Sequence, residues 1–312
     1  MKRIENQKSA KLNLRNSLIR LDSYIEYYAS YSIYNNALGL ARTLLAAGTA
    51  LTLLFTDEKV LFKSGLHPGW SSEIVPINAL NFFNLVPVNF ITLTKWIVFL
   101  ILIIIASGWR PRFTCIPHWY ISTCFLNSAL DIEGGDQITS NITMLLLPIL
   151  LMDSRKWHWQ RLSTNGNSFG EKVRGIISNT LFYVIKLQVC VIYFHAAIGK
   201  IGVNQWLDGT APYYWFNHPV FGMSSWLKPL LNPFLTNSYF VFLLSWGVIV
   251  WELILAAAIF MEKKHYKRLF IIAVGFHFLI VVVHGLFSFF FAMTGALCLY
   301  FLVEYNNRIY EK

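Results

Sequence analysis

The chain has 312 residues, 55% of them hydrophobic and only 13% charged, with a mean hydropathy of +0.48. That balance excludes an ordinary soluble domain. The net charge of +10 would suit a nucleic-acid binder, but the positive residues lie mostly between apolar runs and no nucleic-acid motif accompanies them, so no nucleic-acid partner is expected.

In chain order, the start MKRIENQKSAKLNLR is basic, and no short apolar core with a small-residue cleavage site follows it. It reads as a retained cytoplasmic arm over 1–36. Eight apolar runs come next, at 37–56, 92–107, 115–130, 137–152, 176–200, 238–262, 268–285 and 287–303. Several reach the 17–25 residues a helix needs to cross a bilayer. Alternating ten-residue strands are absent, which argues against an outer-membrane barrel. The expected fold is all-α: a polytopic helical membrane bundle of about eight membrane helices, occupying 37–305, with a tail at 306–312 and no separate soluble domain. The third and fourth runs are short and polar, so they are either tilted or buried in the bundle. The last two are joined by almost no loop, as a re-entrant hairpin would be.

Lys and Arg sort by side. Lys2, Arg3, Lys8, Lys11, Arg15 and Arg20 precede the first run. Arg110 and Arg112, then Arg155, Lys156, Arg161, Lys172 and Arg174, then Lys263, Lys264, Lys267 and Arg268 follow even-numbered runs, with Arg308 and Lys312 at the end. The opposite loops hold only Lys59, Lys63 and Lys228. The positive-inside rule then puts both termini in the cytoplasm of a multi-pass cell-membrane protein. It leaves outside the aromatic loops (Trp70, Trp206, Tyr213, Tyr214, Trp215, Phe216, Trp226), the turn Asp131-Ile132-Glu133-Gly134-Gly135-Asp136, and Lys200. Aromatics of this density suit the lipid headgroup region.

Several groups are costly inside a membrane. Arg42, in the first run, either snorkels to the inner interface or pairs with Glu252, which sits mid-run in WGVIVWELILAAAIF. In the DIEGGD turn, three carboxylates stand ready to bind a cation, to pair with Lys200, or simply to cap the fourth run through Asp136. In the fifth run Lys186, Tyr193 and Lys200 recur at sevens and share one stripe, since each step drifts only about 20°. His195 is about 200° from Tyr193 on the helix, so it either lines another wall of a site or packs structurally. His277 and His284, again seven apart, are either hydrogen-bonded bundle histidines or the lining of an outward polar cavity able to carry a proton. Neither spacing nor a third ligand favours metal, and no metal site is expected. Cys115, Cys124, Cys190 and Cys298 lie in or beside apolar runs without a C-x-x-C and read as buried thiols. No G-x-S-x-G or H-E-x-x-H is present to support a standard protease.

Two long segments, ASGWRPRFTCIPHWYISTCFLNSALDIEGGDQITSNITMLLLPILL and YFHAAIGKIGVNQWLDGTAPYYW, carry a combination that resembles a known family. The parts are Gly108-Trp109-Arg110, Gly134-Gly135-Asp136, the series Tyr193, Ala196, Lys200, Trp206 and Gly209, and the late histidine helix before Phe287-Ser288-Phe289. Their order is similar to that of the HTTM domain, the multi-pass domain of vitamin K-dependent γ-carboxylase. YNNALGLARTLLAAGTALTLLF, GGDQIT and DSRKWHW narrow the resemblance to the sporulation-delaying protein B (SdpB) group. For that group the resemblance implies maturation of a secreted antimicrobial peptide toxin from its precursor, together with a small SdpA-like partner protein. From the wider family it implies that Lys200 is a base toward a quinone. With it, His195, His277 and His284, singled out above by their positions, are the catalytic candidates. Asp136, Trp206, Asp208, Gly209, Arg42 and Glu252 are then the candidate substrate-binding residues. The chain ends near its last apolar run, so the carboxylase's glutamate chemistry is not expected. Two alternatives stay open: a stand-alone quinone-dependent, carboxylase-like enzyme, and a non-enzymatic toxin-binding or immunity membrane protein.

Overall fold

A computed structural model describes residues 20, 22, 23, 26, 28, 31–62, 80–130, 132–160, 168–219 and 221–304. Most of the basic arm, Lys63, Trp70, Asp131, Arg161 and the tail with Arg308 and Lys312 lie outside the described residues. Among the described residues there is no strand, and eight helices have 11 residues or more: α1 (Asn36–Phe55), α2 (Ile91–Ser107), α3 (Pro111–Leu126), α4 (Gly134–Leu151), α5 (Phe169–Ile201), α6 (Ser238–Ala257), α7 (Tyr266–His284) and α8 (Phe287–Leu297). Each coincides with one apolar run of the sequence.

The helix ends follow local chemistry. The Asn35 carboxamide accepts from the amides of Ala37 and Leu38 and opens α1, and Asn237 does the same for α6. Pro111 sits in the first turn of α3, where its missing N–H costs nothing. Gly108 and Gly285 close α2 and α7 in the left-handed conformation, with φ +92° and +73°.

Eight helices are not eight spans. Five stretches are long and apolar enough to cross a bilayer: Asn36–Phe55, Val88–Ser107, Phe169–Ile201, Ser238–Phe260 and Lys263–His284. These make the chain a multi-pass helical membrane protein. Helices α3 and α4 carry too many polar residues to join them, and α8 is too short. Helix α8 is the centre of the molecule. It turns back from α7 at Gly285, continues through a π-helical turn at Cys298–Leu302, and is buried on every side from Ala292 to Phe301. Helices α1, α4 and α7 pack around it, while α3 lies on α4, α2 on α1, and α5 on α6.

The connections gather at two ends. At one, Arg110 N donates to Lys156 O (2.8 Å), His158 N to Gly108 O (3.0 Å) and Asn35 Nδ2 to Val303 O (2.9 Å), while Lys263 approaches Glu304 at 3.8 Å. This basic end collects Arg110, Arg155, Lys156 and Lys263. At the other, Leu130 N donates to Leu61 O (2.9 Å), Ser288 Oγ to Glu133 Oε2 (2.6 Å), and His284 Nδ1 meets Phe221 O (2.6 Å). The aromatic loop 202–237 lies at this second end, and so does Lys200.

Candidate functional site

Helix α5 sets the site. Lys186, Tyr193 and Lys200 all face the interior, the first two buried and the third half-buried. Antiparallel α6 brings Glu252 to the last of them. Lys200 Nζ donates to both carboxylate oxygens, at 2.7 and 2.8 Å, and to Ala196 O at 3.3 Å, and it lies 5.3 Å from the centre of the Trp206 ring. The side chains are 20% and 9% exposed. Each charge would be expensive at such a place alone, and the pair with its cation–π contact offsets much of that cost. The arrangement also gives one proton two homes: shifting it from Lys200 to Glu252 leaves a neutral amine and a neutral acid.

Two turns deeper, Tyr193 Oη and His277 Nε2 are 2.9 Å apart, and the His277 Nδ1 has no partner among the described residues. The His277 ring stands edge-on to Phe289, 5.6 Å away. Phe289 in turn explains Gly135, where a Cβ would fall 2.8 Å from the Phe289 Cα. Gly135 thus lets the start of α4 dock on the start of α8.

The remaining candidates divide. Trp206 is held in place: its carbonyl accepts from Ser245 Oγ (3.1 Å), and the Leu207 carbonyl accepts from Trp246 Nε1 (3.3 Å). Beside it, Val203, Gln205, Trp206, Ala211, Tyr214 and Trp215 line a cleft of about 280 Å³. Asp208 and Gly209 shape the turn. The Asp208 carboxylate accepts from Thr210 Oγ1 and N (2.6 and 2.9 Å), which holds its pKa below the usual range, and Gly209 has φ +82°. His284 anchors the loop through Phe221 O and lies seven residues, about 10 Å of rise, from His277.

Of three further candidates, one pairing is overturned and one capping role is found. His195 is exposed, on the face of α5 turned away from Lys200 and Tyr193, and is not packed in the core. Arg42 does not pair with Glu252, which belongs to Lys200; its Nη2 donates to Thr114 Oγ1 at 2.5 Å. Asp136 does not reach Lys200 either. It forms a capping box with Glu133, whose N–H donates to Asp136 Oδ2 at 3.1 Å. Burial pushes its carboxyl up to about 6, against the lowering effect of that hydrogen bond and with the Glu133 charge adding to the rise.

Sequence reasoning passed over two polar groups at the basic end. Glu304 is buried and meets Lys186 at 2.7 Å, a second interior ion pair at the far end of the α5 stripe. Asp153 and Arg155 form a buried pair at 2.8 Å within the DSRKWHW segment, whose Lys156 and His158 backbone bonds to Arg110 and Gly108 tie it to the Gly108-Trp109-Arg110 turn. An acid abutting a long apolar run, and the D-x-R spacing, were the available signals. All four cysteines are free thiols, three buried and Cys190 partly so.

No family model and no solved structure matches the chain. Two proteins of Bacillus subtilis (strain 168) do. Uncharacterized protein YitO is 37% identical over 269 residues, covering 86% of this chain and 85% of YitO. Sporulation-delaying protein SdpB is 35% identical over 283 residues, covering 90% of this chain and 85% of SdpB. With identities this high over nearly the full length of both proteins, the chain belongs to the SdpB-like family.

Proposed function

We propose that this protein is the membrane component of a machine that matures a secreted antimicrobial peptide toxin from its precursor, acting with a small SdpA-like partner protein. The observation that carries the reading is the Lys200–Glu252 pair under Trp206, two turns above Tyr193 and His277. It is a charge pair held mostly out of water beside an aromatic loop suited to a membrane-associated peptide. Membership of a family that includes a sporulation-delaying protein supports the same reading. In this account the membrane domain runs over 37–305 in the cell membrane, between a cytoplasmic arm (1–36) and tail (306–312), and the aromatic end is outside. The excess of Lys and Arg at the basic end supports that orientation.

The test is deletion in a producing strain, followed by complementation. Mature toxin should vanish and return. Undiminished mature toxin in the deletion strain would overturn the proposal.

A second reading follows from the HTTM resemblance: Lys200 is a base toward a quinone drawn from the bilayer. The aromatic cleft beside Trp206, walled by Tyr214 and Trp215, is the feature that favours it, because flat rings stack there. A quinone-extracted membrane preparation should then lose activity and regain it on adding quinone. Full activity after extraction would reject this second reading and leave the first intact.

A further inference from the structure

Among the described residues, no acid is bonded to the buried guanidinium of Arg42 at the basic end. Arg42 is 1% exposed, and its guanidinium stays protonated in any protein environment. Nη2 donates to Thr114 Oγ1, while Nε and Nη1 have no partner. The Thr114 hydroxyl faces the Trp109 and Arg110 carbonyls at 2.8 and 2.9 Å, so it accepts from Arg42 but carries no charge. The acid of this region, Asp153, has both oxygens engaged by Arg155 at 2.8–3.1 Å.

Two imidazoles complete the surroundings. His118 follows Thr114 by one turn on the same face of α3, is 1% exposed, and its Nε2 has no partner. His158 is fully buried against α1. A Cβ on Gly39 would come within 3.0 Å of it, its Nε2 lies 3.3 Å from Thr43 Oγ1, and its Nδ1 has no partner. Gly39 and Thr43 flank Arg42 on one face of α1. Burial first, then the charges of Arg42 and Arg155, hold His158 down at about 3, so it is neutral. Thr43 Oγ1 donates to Ala106 O, so the one N–H of His158 points from Nε2 to Thr43 and its Nδ1 is an acceptor. Among the described residues, the donors left with nothing to bond are thus those of Arg42 and His118, each more than nine-tenths buried. Buried water would satisfy these donors and leave the charge uncompensated; an anion does both.

We propose that Arg42 and His118, with Thr114 fixing the guanidinium, form a binding site for a small anion, a halide or a carboxylate. The site stands at the opposite end of the bundle from Lys200 and does not rest on the function proposed above.

The experiment is thermal unfolding of the purified full-length protein in detergent. Chloride or acetate replaces methanesulfonate, which is neither a halide nor a carboxylate, at constant ionic strength. Either anion should raise the Tm saturably by about 3 °C, the size expected for a ligand at roughly ten times its dissociation constant. A response to chloride alone identifies a halide, and to acetate alone a carboxylate group. Arg42→Gln should abolish the response. If that variant fails to accumulate, His118→Leu should raise the half-saturating concentration about tenfold, the loss of roughly one hydrogen bond to a charged group. No response in the wild type, or an unchanged response in either variant, would overturn the proposal.

Discussion

Lys200 and Glu252 hold each other at 2.7 Å, mostly out of water, and neither has another charged partner among the described residues. Removing one therefore strands the other. Lys200→Met should destabilise the protein by about 2–4 kcal/mol, while Lys200→Met combined with Glu252→Leu should recover most of that loss, because two apolar groups need no counter-charge. Denaturant unfolding in detergent, run as a double-mutant cycle, reads the coupling directly; additive losses would mean that the pair is not formed. Asp136 gives a pH signature. Its carboxyl ionises at about 6 in the folded protein against 3.8 for the free side chain. Because the folded value is the higher, the folded state binds the proton more tightly. This group's contribution to stability falls as pH rises from about 4 to 6 and is flat above. Asp136→Asn keeps an oxygen for the Glu133 N–H and removes the charge. It should stabilise at pH 7 by on the order of 1–3 kcal/mol and erase that part of the pH dependence, measured as Tm against pH. An unchanged slope between pH 4 and 6 would place the pH dependence elsewhere.

At the scale of elements, backbone approach matters more than helix propensity. Gly108 closes α2 at φ +92°, and a Cβ there would stand 2.2 Å from the His158 ring. Gly275, mid-helix on α7, has nothing near it. Gly108→Ala should therefore cost about 3 kcal/mol or more, from strain and clash together. Gly275→Ala should be neutral or stabilising by up to about 1 kcal/mol. Equal effects in a thermal-shift comparison would contradict the clasp between the Gly108-Trp109-Arg110 turn and the DSRKWHW segment. Helix positions were legible in the sequence because long apolar runs with Asn caps and glycine stops admit few alternatives. The number that span was less so: α3 and α4 are apolar enough to be helices and too polar to face lipid, and α8 is apolar because it is the core. The face of α5 was also legible, since a seven-residue repeat fixes which side chains share a stripe. What the stripe meets was not. Periodicity orients one helix and says nothing of its neighbour's azimuth, so a pairing of Glu252 with Arg42 stayed open where α6 in fact turns Glu252 to Lys200. His158 went unnoticed because it lies in a loop, where no periodicity marks a buried position.

Across the whole molecule, helix α5 carries an ion pair at each end of its buried stripe, Lys186–Glu304 and Lys200–Glu252, separated by 14 residues or about 21 Å of rise. The first sits among the basic loops and the second under the aromatic ones, so the fold divides its polar interior between two ends, with the central helix α8 between them. The function proposed here belongs to the aromatic end. Its most direct test is mass spectrometry of the toxin peptide from a producing strain carrying either the wild-type protein or Lys200→Ala, with membrane levels of the two matched by immunoblot. The account predicts mature peptide in the first strain and only unprocessed or unmodified precursor in the second. Mature peptide of identical mass and yield from the Lys200→Ala strain would contradict it.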